Sequence, residues 1–197
     1  MNPPFSPVLI FLALACPLHV FAFGNGKVIP ACFTMEPQHG TTAQTSPAPY
    51  NITISQETYK AGDRIIVTIS SNTNSTLFAG FLLQAREASN GNTPVGSFLI
   101  SNSDMQALNC SKTFDAVSHT SNKKKTSIQV TWIAPTDITS DILMKATVVA
   151  EKPTYWTNVQ GPRLSFSGGS ISGGSSRPNI MSPVIYCGLF MLTALLK

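Results

Sequence analysis

Histidine is almost absent from this chain, cysteine occurs only four times, and the segment between the two ends carries little helical periodicity. Each shortage removes a class of function. A metal or haem centre needs ligands that converge at short spacing. His39 and His119 stand far apart, with no neighbouring Cys or Glu at ligand spacing. No Gly-x-Ser-x-Gly elbow is present, which removes the usual nucleophile of an α/β-hydrolase. The glycine-rich Ser167–Ser176 stretch lacks the Lys-Ser/Thr that closes a phosphate loop. Carboxylates are few, and Asp137 and Asp141 read as turn residues rather than an acid–base pair. No catalytic, cofactor-binding or metal-ligating residue is therefore assigned. With 13 basic against 9 acidic residues, the charge gives no reason to expect a nucleic-acid partner.

Long apolar runs are confined to the ends. Val8–Ala15 is unbroken, and Val20-Phe21-Ala22 places small or aliphatic residues where a signal peptidase reads them, so residues 1–22 are expected to be a signal peptide. Residues 184–197 form a short apolar tail behind a Gly/Ser-rich stalk and spacer, 167–183. Small residues, a spacer and an apolar terminus follow the order of a GPI-attachment signal, with Ser172 or Gly173 as the attachment residue. The tail is short for a transmembrane helix. A short membrane tail, or one without membrane function, stays open beside the lipid anchor.

About 150 residues remain, enough for one domain with a real core. Cys16 falls in the leader and Cys187 in the tail, leaving Cys32 and Cys110 as a pair that an oxidising compartment would join. Closing a loop of roughly 79 residues is worth about 4.5 kcal/mol in the chain-entropy model. Three sequons fit the same compartment: Asn51-Ile-Thr, Asn74-Ser-Thr and Asn109-Cys-Ser.

Between the ends the hydrophobic period is two. Tyr50–Ser55, Arg64–Ser70, Phe78–Arg86, Val95–Ile100, Ser127–Ile133 and Asp141–Ala150 read as strands. Ile128, Val130 and Trp132 share one face, and Ile142, Met144, Ala146 and Val148 another. Gly80 marks a bulge or a close approach. Ser101–Asn109 reads as a helical turn or loop, and Pro30–Pro49 as an extended segment lying over the sandwich, held by Cys32. The expectation is all-β: six or seven short strands in an immunoglobulin-like antiparallel β-sandwich. Lys123-Lys124-Lys125 reads as a solvated loop or a ligand patch. Tyr155-Trp156 reads as an exposed anchor for a partner or as edge packing.

Cys32-Phe-Thr-Met-Glu-Pro-Gln-His-Gly40, Gln44–Tyr50, Tyr59-Lys-Ala-Gly-Asp63, Phe78–Arg86, Val117–Asn122, Val130-Thr-Trp132 and Ala146–Val149 together resemble the reeler (reelin) domain in order. The likeness spans residues 28–166. It implies an immunoglobulin-like sandwich with a disulfide matching Cys32–Cys110. Such domains occur at the start of reelin, in secreted insect defence proteins, and in ferric-chelate reductases ahead of a DOMON domain and a cytochrome b561 unit. Two functions are expected from this. One is a secreted or surface-held interaction module for an extracellular protein or glycan, in recognition or innate defence. The other is an accessory or truncated relative of a ferric-chelate reductase.

Overall fold

The computed structural model describes residues 24–89 and 91–168. The expected signal peptide, the attachment residues Ser172 and Gly173, and the apolar tail lie outside the described residues. A 3-10 turn at Ile29–Ala31 precedes ten strands: β1 (Tyr50–Ile54), β2 (Thr58–Tyr59), β3 (Arg64–Ser71), β4 (Gly80–Glu87), β5 (Ser97–Leu99), β6 (Met105–Leu108), β7 (Ala116–His119), β8 (Ser127–Ile133), β9 (Ile142–Glu151) and β10 (Thr154–Phe166). They form two sheets, one ordered β1-β3-β8-β5 and the other β2-β10-β9-β4-β7-β6. The fold is an all-β, immunoglobulin-like sandwich. All pairings are antiparallel except that of β2 with β10, which is parallel.

Alternation places the core. In β3, Ile65, Val67 and Ile69 point inward, paired in register with Trp132, Val130 and Ile128 of β8. From the opposite sheet, Ile142, Met144, Ala146 and Val148 of β9 face them, with Phe81, Leu83 and Ala85 of β4. Trp132 is wholly buried, and its indole N–H donates to the Val95 carbonyl at 2.9 Å. Gly96 makes that approach available. Its φ is +71°, and a Cβ there would lie 2.4 Å from the indole nitrogen. Tyr59 stacks edge-on against Trp132 and Phe166, at 5.9 and 5.3 Å, and its hydroxyl donates to the Ser140 carbonyl.

Four strands, β2, β6, β7 and β10, are absent from the sequence reading. Ser101–Asn109 is not a helical turn, because β6 pairs with β7 from Met105↔His119 to Leu108↔Ala116. The long β10 hides its period behind register shifts at Thr154/Tyr155, Trp156/Val159 and Gln160/Arg163. The two-residue β2 is too short to show any period.

Candidate functional site

Residues 24–49 form a strap across the outer face of the six-stranded sheet. Ser118 and Gln106 hold its start, donating to the Gly26 and Asn25 carbonyls. Gly26 has φ +68°, and a Cβ there would collide with the His119 carbonyl. Cys32 is disulfide-bonded to Cys110, their Cα atoms 5.5 Å apart. Gln84 and Arg86, both buried, reach outward from β4 to the same place. Gln84 Nε2 donates to the Cys32 carbonyl at 2.9 Å, and Arg86 donates to the carbonyls of Cys32 and Phe33 at 2.8 and 3.0 Å. Arg86 Nε donates to Gln84 Oε1, and burial pushes the guanidinium pKa down. Beyond this knot, Thr147 donates to the Met35 carbonyl, Tyr155 to Thr41 and Trp156 to Ser46. A second apolar cluster of Ala31, Met35, Leu82, Leu108 and Ala116 seals the strap to the sheet. The Asp115 carboxylate organises the Cys110 loop by accepting the N–H groups of Cys110, Ser111 and Lys112.

Between strap and sheet lies a cavity of about 410 Å³. Gly80, Leu82, Thr147 and Val149 line its sheet side; Val28 and Met35 face it from the strap, and His39, His119, Lys124, Glu151 and Lys152 are also among its lining residues. Gly80 leaves room for His119, since a Cβ on it would lie 2.9 Å from the imidazole Cε1. His119 Nδ1 accepts the Phe81 N–H at 3.2 Å. His39 stacks edge-on against Tyr155 at 5.6 Å. Burial holds its pKa below the ordinary 6.5; the Lys152 backbone opposes that shift, and the Lys152 ammonium adds to it. His39 Nδ1 is buried and has no hydrogen-bond partner among the described residues. A polar atom left that way costs about 1–3 kcal/mol.

The structure brings His39 and His119 to one cavity, a juxtaposition that their wide separation in sequence conceals. The fold makes it by laying the strap over β4 and β7. Among the described residues no group of three or more His, Cys, Asp or Glu is placed to hold a metal. The lysine run divides. Lys123 is exposed, and Lys124 lines the cavity while donating to the Ala150 carbonyl. Lys125 is not solvated. It is 8% exposed, and its ammonium caps the Ser121 and Lys123 carbonyls, at 3.1 and 2.6 Å. Tyr155 and Trp156 are not an exposed anchor either: Tyr155 is buried, Trp156 is half-buried, and both fasten the strap. Asp137 and Asp141 are engaged by Lys112 and Arg163. Asn51, Asn74 and Asn109 are all exposed; Asn51 Oδ1 accepts from Ser70, and Asn109 Oδ1 from the Phe114 N–H.

A family model described as Reeler domain matches residues 30–171, and the chain belongs to that family. Bovine ferric-chelate reductase 1 is 42% identical over 168 residues, covering 84% of this chain and 28% of the bovine protein. The zebrafish "Putative ferric-chelate reductase 1" is 37% identical over 90% of this chain and 31% of its own length. The chain thus spans under a third of the reductases it matches. "Putative defense protein 3" of the moth Antheraea mylitta is 36% identical, covering 70% of this chain and 83% of the moth protein. Among solved structures, the human F-spondin reeler domain superposes with a TM-score of 0.53 at 25% identity, over 64% of this chain and 94% of that one.

Proposed function

We propose that the chain is a non-catalytic extracellular binding module, exported through the secretory pathway and then released or held at the cell surface by a lipid attached near Ser172 or Gly173. The observation that carries this reading is how the described body uses its reactive side chains. Arg86, Gln84, Asp115, Lys125 and Tyr155 are spent on fastening strap and loops, which leaves a rigid scaffold whose loops meet a partner. The Cys32–Cys110 bond supports an oxidising compartment. Likeness to the moth protein over most of its length supports a recognition or defence role, with an extracellular protein or glycan as partner. Purified protein should bind bacterial surface polysaccharide at micromolar concentration; its failure to do so would end the defence reading. Release from intact cells by a phosphatidylinositol-specific phospholipase tests the anchor.

A second reading is an accessory part of a ferric-chelate reductase, favoured by the 42% identity to the bovine enzyme. It requires haem absorbance in the purified protein, or a haem-bearing partner with which ferric reduction appears. The binding-module reading requires neither.

A further inference from the structure

We propose that the cavity beneath the strap binds a small amphiphile, an apolar body ending in a single anionic group such as a carboxylate. At about 410 Å³ it falls within the range of small-molecule sites, roughly 300–1,000 Å³. Leu82 and Val149 line it from the sheet and Val28 and Met35 from the strap, and the Thr147 hydroxyl in its lining already donates to the Met35 carbonyl. An empty apolar cavity forfeits dispersion contacts that a hydrocarbon body restores. Charge is confined to exposed side chains, with Lys124 and Lys152 set against Glu151. The local excess is one positive charge, which selects one negative group on the ligand. The His39 ring contributes to the lining of the same cavity. The strap wall is held by the disulfide on one side and by Tyr155 on the other, so the cavity is preformed and ordering costs little on binding. The site is separate from the loops invoked for macromolecular recognition, and its failure would leave that reading standing.

The test is titration calorimetry of the whole purified protein with dodecanoate below its micelle concentration, alongside dodecanol and dodecylammonium. The expected result is saturable one-to-one uptake of dodecanoate, about tenfold tighter than dodecylammonium. Val149→Trp fills the cavity and should weaken uptake about tenfold or more; Ala79→Leu, beside Val149, serves if the first variant fails to fold. The pair Lys124→Gln with Lys152→Gln should weaken dodecanoate about tenfold and leave dodecanol unchanged. Absence of saturable uptake would overturn the proposal, as would uptake indifferent to both filling variants. Equal affinity for dodecanoate and dodecylammonium would overturn the anionic head.

Discussion

The two sheets share one core and treat their outer faces in opposite ways. Among the described residues no segment covers the outer face of the four-stranded sheet. Ile66 and Leu99, which flank Thr131 across the sheet, are 42% and 40% exposed, and the strands β3 and β8 alternate cleanly between buried and open positions. On the six-stranded sheet the strap covers the outer face, so β4 is buried from Gly80 to Arg86 without a break. A covered face can hold polar groups that an open one would leave to water. Gln84, Arg86 and Thr147 lie there because strap carbonyls receive their hydrogen bonds. It can also hold a cavity, because the strap adds the second wall.

Removing the strap's covalent tie should break this asymmetry most strongly. Cys32→Ser with Cys110→Ser is expected to cost about 4 kcal/mol, seen as a lower urea midpoint, and to open Arg86 to hydrogen exchange. Arg86→Met leaves the Cys32 and Phe33 carbonyls without their charged donor under the strap. A loss of about 3 kcal/mol is expected by denaturant unfolding. Gly80→Ala pushes a methyl into the His119 imidazole and should cost about 1–2 kcal/mol, with a shifted His119 resonance by NMR as the marker of local displacement.

A gentler probe is pH. Folding lowers the His39 pKa below 6.5, so between the folded value and 6.5 the unfolded chain binds more protons. Stability should therefore rise with pH across that window and fall on acidification through it. His39→Phe should flatten this part of the stability profile; an identical slope in both proteins would remove His39 from the account. The smallest effect belongs to the bare face, where Ile66→Thr should change stability by no more than about 0.5 kcal/mol. A large loss there would mean that this face is as integral to the fold as the covered one.

The same contrast decides what could be read in advance. β1, β3 and β8 were legible because one side meets water and the other does not, which writes a period of two into the residues. The strap was legible from its prolines and Cys32, and Gly80 from its place inside a strand. β10 escaped because three register shifts and the Gly161-Pro162 step interrupt its alternation. Lys125 departs from the sequence reading, and Tyr155 takes the edge-packing alternative over the exposed anchor, for a different reason. A charged or aromatic residue beside a turn looks exposed until the carbonyls that receive its polar atom are known, and those come from distant segments or from the turn's own path. The cavity had no local signal at all, since its walls come from four separate stretches of chain.

By itself the amino-acid order determined the all-β class, the alternating core, the cysteine pair and an amino-terminal segment lying over the sandwich, because each depends on local periodicity or on a short inventory of residues. Tertiary structure alone decided that His39 and His119 share a cavity, that Arg86 and Gln84 hold a strap, and that Lys125 and Tyr155 are interior fasteners. Except for Lys125, which folds back on its own turn, those outcomes are contacts between residues far apart in sequence, and only the packing of one segment upon another brings their atoms within reach.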